Sequence, residues 1–215
     1  MINHPAYVAV TCTTISVPAF THGADVASKR LVGIAFLVAE VGRRSRWHFS
    51  RRAYVILAEQ PETALIEWAT SRLPIKAMLI GWNVDHVLVP ALLAAAATAS
   101  PILGRQFTSR LHRLLRCGVV DLALKHGGAG APTLANIAAD MAIYAPAWNA
   151  NAVTSAWTAG AVDQIRHDLA DEALAIWRTF VRSAGVTGLS AEAATDAWVL
   201  RRQRTDAVTR TSNLS

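Results

Sequence analysis

The chain has 215 residues, enough for one well-buried domain and short for two. With 53% hydrophobic and 17% charged residues it will collapse, which excludes global disorder; eight prolines and no glycine or heptad repeat exclude collagen and coiled-coil architectures. The formal net charge of +6 and a sequence pI of 10.0 suit a polyanionic partner but say nothing of fold.

Tyr7 to Val17 is rich in β-branched residues, among them Val8, Val10, Thr11, Thr13 and Ile15, and predicts a strand. Pro18 and His22-Gly23 mark a turn-rich stretch before a second, nearly continuous apolar strand from Leu31 to Glu40. Val41-Gly42-Arg43-Arg44-Ser45 connects it to a third strand, Arg46 to Ser50, giving a hairpin with an arginine-rich tip. Pro61 opens a helix over Glu62 to Arg72, where Leu65, Ile66, Trp68 and Ala69 fall at helical spacing. Ala77 to Ile80 reads as a short buried strand ending at Gly81. Val87 to Thr98 and Phe107 to Arg116 read as helices, the second basic on one side. Val119-Val120 leads to Asp121-Leu122, and Gly127-Gly128-Ala129-Gly130 makes a flexible loop. Thr133 caps a helix to about Ala142, and an irregular stretch follows. Val162 to Ser183 is a long amphipathic helix carrying Ile165, Leu169, Leu174, Ile176, Trp177 and Phe180. Ser190 caps a last helix to about Arg204. Strands first and helices after predict a mixed sheet in an α/β domain over residues 1–204, with 205–215 a flexible, frayed tail.

The two cysteines, Cys12 and Cys117, make no disulfide framework and no Cys-x-x-Cys zinc pair, so reduced thiols in the cytoplasm are expected. Met1 to Tyr7 lacks the charged start and apolar core of a signal peptide. The longest apolar region, Ala77 to Ala99, holds Asn83, Asp85, His86 and Pro90 near its middle and is not read as a membrane span.

Four groups of residues carry candidate chemistry. Thr11 and Thr13, two apart on a strand, share a face. Gly81-Trp82-Asn83 ends a strand just before a helix, where α/β sheets hold ligands; Asn83 serves equally as a helix cap and Asp85 as a favourable charge at a helix start. His167 and Asp171 are four apart on one helix face, able to share a metal or a proton, or simply to form a solvated pair. Arg43, Arg44, Arg46, Arg51 and Arg52 surround Trp47 on the hairpin, a pattern that suits backbone phosphates and a stacked base as well as a solvated tip. Arg105, Arg110, Arg113 and Arg116 follow on a helix. No Gly-x-Ser-x-Gly elbow, His-Glu-x-x-His or Gly-Lys-Ser/Thr phosphate loop is present.

In order and spacing the chain resembles the DEDD-type 3′–5′ exonucleases of the ribonuclease-H-like fold, of the DnaQ and family-B polymerase proofreading kind. The strand Val8-Ala9-Val10-Thr11-Cys12-Thr13-Thr14 stands where that family has an apolar strand with Asp-x-Glu-Thr. Gly81-Trp82-Asn83 with Val87-Leu88-Val89-Pro90-Ala91-Leu92 is similar to its Gly-x-Asn, Phe-Asp-x-Pro-x-Leu pattern. Asp121-Leu122 with Leu134-Ala135-Asn136-Ile137-Ala138, and Trp157-x-x-Gly160 with His167 and Asp171, resemble its last two motifs. The likeness spans about residues 7–182 and implies a ribonuclease-H-like mixed β-sheet flanked by helices.

The resemblance also places Thr11, Thr13 and Leu88 at three of the family's four acid positions, with Asp171 as the remaining acid and His167 in place of a tyrosine. The family holds two divalent metals on four carboxylates, which neutral threonines and a leucine do not replace. The expectation is a degenerate exonuclease-like protein, a pseudoenzyme with no cofactor. It would bind nucleic acid, as a single strand or 3′ end, through the hairpin arginines, Trp47 and Asn83, or else bind a partner protein. Two alternatives stay open. One is an active magnesium- or manganese-dependent exonuclease with a rearranged acid set that uses Asp85, Asp163 or Asp168 with Asp171. The other is a pure protein-interaction subunit of a nucleic-acid-processing complex, docking through Trp198, Val199 and Leu200. No membrane partner is expected.

Overall fold

A computed structural model describes residues 6–17, 28–43, 46–185 and 189–212. Arg44 of the hairpin, together with Pro18 and His22-Gly23, lies outside the described residues. Five strands, β1 (Ala6–Val17), β2 (Ser28–Val41), β3 (Trp47–Val55), β4 (Met78–Gly81) and β5 (Val119–Asp121), form one sheet in the order β3-β2-β1-β4-β5. β1 pairs antiparallel with β2, and β2 with β3, while β4 runs parallel to both β1 and β5. The fold is α/β with a mixed sheet flanked by helices, as expected for the ribonuclease-H-like architecture.

The strands alternate between two cores because successive side chains point to opposite faces. Val8 and Val10 of β1 face a core closed by α1 (Glu62–Arg72), α2 (Val89–Thr98) and α3 (Pro101–Cys117). Ala9 of β1, with Ala35 and Leu37 of β2, faces a second core under α7 (Val162–Ser183), where Ile165, Leu169, Ala173, Ile176 and Trp177 are buried. Trp177 anchors this core; its indole donates to the Thr195 hydroxyl of α8 (Leu189–Ser212) at 2.9 Å. α4 (Leu122–Lys125), α5 (Leu134–Asp140) and α6 (Ala150–Thr158) connect the two halves of the chain. No helix among the described residues is long and apolar enough to cross a membrane.

Several boundaries differ from the sequence reading for identifiable reasons. β3 continues past Ser50 to Val55, because Arg52 points outward from an edge strand while Arg51 finds a carboxylate partner. α3 starts at Pro101, where the Ser100 hydroxyl accepts from the Leu103 N–H and proline occupies a first-turn position that needs no donor. The irregular stretch after Ala142 contains α6, capped by the Asn149 side chain, which accepts from the Ala152 N–H at 2.8 Å. The turn before α2 is π-helical over Val84–Leu88, and α8 extends to Ser212 rather than ending near Arg204.

Candidate functional site

The parallel ladder between β1 and β4 ends at the Ala9–Ile80 pair, but β1 runs on to Val17. A crevice opens at the carboxyl end of β4, beside Trp82 and Asn83, the position where open α/β sheets bind ligands. The chain leaves β4 at Gly81 and turns through Asn83, which sits in the left-handed region at φ 53°. Asp121 holds that turn. Its carboxylate accepts from the Asn83 N–H at 3.0 Å, the Val84 N–H at 2.7 Å and the Ala123 N–H at 3.0 Å. Asp121 is therefore a buried structural acid that ties the end of β5 to the rim of the crevice.

Thr11 and Thr13 lie on the face of β1 that carries Ala9, towards α7. The carboxylate that meets them is Glu172, a residue the sequence reading passed over in favour of its neighbour Asp171. Burial pushes the Glu172 carboxyl up from its ordinary 4.5 to about 7, and the Thr11 hydroxyl, hydrogen-bonded to it, offsets part of that. A bulge in the β1–β2 ladder between Thr13 and Thr14, opposite Gly33, reshapes the strand at this point. Gly33 also lets α7 approach: a Cβ there would lie 2.5 Å from the Leu169 Cδ1 and 3.3 Å from the Thr13 Cγ2.

The crevice has a volume of about 420 Å³, with Glu172 in its wall. Trp82, Asn83, Thr133, Asn136, Trp148 and Asn149 contribute to its lining, and no lysine or arginine does. Trp82 stacks on His126 with ring centroids 6.1 Å apart. A smaller void behind the crevice is bounded by Thr13, Trp148, Ile165, Leu169 and Glu172. Two indoles, three side-chain amides, one hydroxyl and a carboxyl whose pKa is raised to about 7 suit an uncharged polar or planar group.

Asp171 faces the other way. Its carboxylate forms an ion pair with Arg51 of β3, which shares the α7-side face of the sheet. His167 is exposed, its Nδ1 2.6 Å from the Asp163 carbonyl oxygen, and does not meet Thr11. Asp163 pairs with Arg166 at 2.9 Å. Burial raises the Asp168 carboxyl, with the nearby Asp171 charge adding to that and His167 opposing it. Asp85 is exposed on the π-helical turn, and Leu88 is buried in the core on the α1–α3 side, packed beside Gly81. Of the sequence-derived set, Asn83 lines the crevice, Thr13 bounds the void behind it and Thr11 is buried against Glu172, whereas Asp171 and Asp85 line neither. Among the described residues no three histidine, cysteine, aspartate or glutamate side chains group as a metal site. One carboxyl and two hydroxyls do not neutralise a pair of divalent cations, so the donor set does not fit the metals of the exonuclease family.

The basic residues also separate. Val41 and Trp47 close the hairpin beside the Ala6–Glu40 end of the sheet, with Arg43 and Arg46 exposed. Along β1 that end is about 17 Å from Thr11, taking about 3.3 Å per residue. Trp47 is packed among Tyr7, Phe49 and Trp177, with centroids 5.7 to 6.1 Å away, and is not a free stacking platform. Arg52 is exposed on the face towards α1. Trp198 is half-buried against Phe49 at 5.5 Å, which leaves Leu200 as the exposed apolar residue of that C-terminal segment.

No family model matches the chain, and no curated protein shows significant sequence similarity to it.

Proposed function

We propose that this chain is a degenerate 3′–5′ exonuclease-like domain that binds nucleic acid without hydrolysing it. The observation that carries the reading is the meeting of Thr11 and Thr13 with Glu172 behind the crevice at the carboxyl end of β4. The resemblance assigns acids to the two threonine positions, and here a lone carboxyl faces two hydroxyls. Such a centre lacks the negative charge that holds two metals, so no water is activated there for attack on a phosphate. The mixed sheet and the arginine-rich surface support retention of the fold for binding. Asp171, which a rearranged acid set would need, is paired with Arg51, and Asp163, one of its three candidate partners, is paired with Arg166.

The test is a gel series with end-labelled single-stranded and duplex oligonucleotides, with manganese or with chelator, at two salt concentrations. The proposal expects an intact probe that shifts at low salt and is released at high salt. A ladder of shortened products that requires manganese would overturn the loss of chemistry. An intact, unshifted probe would overturn nucleic-acid binding and leave the protein-interaction role.

A further inference from the structure

The crevice carries no cation, and the arginines of the hairpin tip stand at the far end of the sheet. A third surface combines charge with concavity. Two cavities, of about 270 and 420 Å³, flank the edge strand β3 and share Arg51 and Arg202 in their walls. The first adds Arg178, Trp198 and Tyr144, and lies between α7 and α8. The second adds Arg52, Arg166, His167 and Trp68, and reaches around β3 towards α1. From this arrangement we infer that the surface is a binding groove for single-stranded nucleic acid, with the phosphates held by the arginines along β3. The inference rests on the nucleic-acid-binding reading and gives that reading a location.

Three features favour a strand in this groove. First, its charge is in excess: five guanidinium groups line the two cavities, against four carboxylates in and beside them, Asp163, Asp171 and Asp196, paired with Arg166, Arg51 and Arg178, and Asp168 next to Asp171 and His167. Arg52 and Arg202 are exposed and form no ion pair among the described residues; the Arg202 guanidinium lies 5.9 Å from the Trp198 ring centroid instead. The buried Nε atoms of Arg51 and Arg178 have no hydrogen-bond partner, so neither guanidinium is saturated by its carboxylate. Partly exposed ion pairs contribute little, and a phosphate can replace their carboxylates at small cost. Second, β3 ends the sheet among the described residues, so the alternate N–H groups that point away from β2 face no further strand there. Third, part of an indole reaches the wall of each cavity, Trp198, which packs on Phe49, in one and Trp68, which stacks on Phe36 and Tyr54, in the other; each offers a base an edge rather than a free face. A basic track with aromatic walls is the arrangement by which proteins hold unpaired bases, whereas a duplex keeps its bases stacked and offers nothing to fill the two cavities.

The experiment is fluorescence anisotropy of a labelled single-stranded oligonucleotide across a salt series. It compares the full chain with Arg52→Gln/Arg202→Gln in the groove and Arg43→Gln/Arg46→Gln at the hairpin tip. All four side chains are exposed, and a thermal melt verifies that each variant remains folded. The groove pair should lose about tenfold in affinity at low salt, and its salt slope should fall by about 1.4, on the basis of ~0.7 per phosphate contact with a single strand. The tip pair should bind as the parent does, and Arg52→Lys/Arg202→Lys should recover most of the slope. If the tip pair weakens binding and the groove pair does not, the groove assignment is overturned while nucleic-acid binding stands. If the parent chain binds no strand at any salt, the function itself is refuted and the groove assignment with it.

Discussion

Glu172 is the group whose removal tests the crevice most directly. Its carboxyl titrates at about 7 in the folded protein, against an ordinary 4.5. A raised carboxyl pKa means that the native state binds the proton more tightly than the unfolded chain does. The stability this group contributes is therefore fully present below about pH 4.5 and is lost as pH rises through about 7. At about 1.4 kcal/mol per pH unit the rise from 4.5 to about 7 corresponds to about 3.5 kcal/mol, and partial exposure of the side chain brings the loss to roughly 2–3 kcal/mol. Glu172→Gln keeps the shape, and its amide oxygen can still accept from Thr11, but it removes the ionisation. Urea unfolding from pH 4 to pH 8 should show the parent losing stability between about pH 4.5 and 7 relative to the variant. The two should coincide near pH 4, and at pH 8 the variant should melt about 5–10 °C higher. If Glu172→Gln is no more stable than the parent at pH 8, or is less stable by the same amount at every pH, the carboxyl is not held near neutrality and the account of the crevice fails.

Three further outcomes follow from the same geometry. Asp121→Ala strands three backbone N–H groups, those of Asn83, Val84 and Ala123, and should cost about 3–5 kcal/mol in urea unfolding; a loss under 1 kcal/mol would contradict its role as the anchor of the crevice rim. Gly33→Ala drives a Cβ into Leu169 and should cost about 1–3 kcal/mol by the same assay, with a change in Trp82 or Trp148 fluorescence as α7 shifts away from the crevice. Burial pushes the Cys12 thiol up to about 12, whereas Cys117 is exposed, so a thiol reagent at pH 8 should modify one cysteine quickly and the second only on unfolding; two fast thiols would refute the packing of β1.

The sequence was most legible where the pattern was long and regular. β1 begins within one residue of its expected start, and α1 and α7 have the expected bounds, because eleven or more residues of consistent periodicity outweigh local noise. Short elements and caps were harder to see. α6 is announced only by Asn149, and the start of α3 only by Ser100-Pro101, signals that alanine-rich and polar surroundings dilute. The site was half legible. Thr11 and Thr13 share the face their spacing requires, but the acid opposite them is Glu172, one residue from the choice the sequence suggested. A signal for it was available: on α7, Ile165, Leu169 and Ala173 mark the face turned to the sheet, and Glu172 is three residues after Leu169, on the edge of that face. Asp171 falls one step further round, towards β3, where Arg51 awaits it. Nothing in the sequence shows that two residues 120 positions apart form an ion pair.

Charge decides which of the concave surfaces suits a nucleic-acid strand. In the crevice a phosphate meets Glu172 and no compensating cation, so it is repelled whenever that carboxyl is ionised. Along β3 the same phosphate meets Arg51, Arg52 and Arg202. The two locations respond differently to Glu172→Gln. A strand whose backbone crosses the crevice gains affinity when the charge is removed, most at pH 8, where the parent carboxyl is ionised. A strand held on the β3 edge, with β2 and α7 between it and the crevice, is indifferent to the same change. Under the proposed nucleic-acid-binding function, binding by Glu172→Gln and by the Arg52/Arg202 pair, measured with one probe, therefore separates a strand that crosses the crevice from one held along β3.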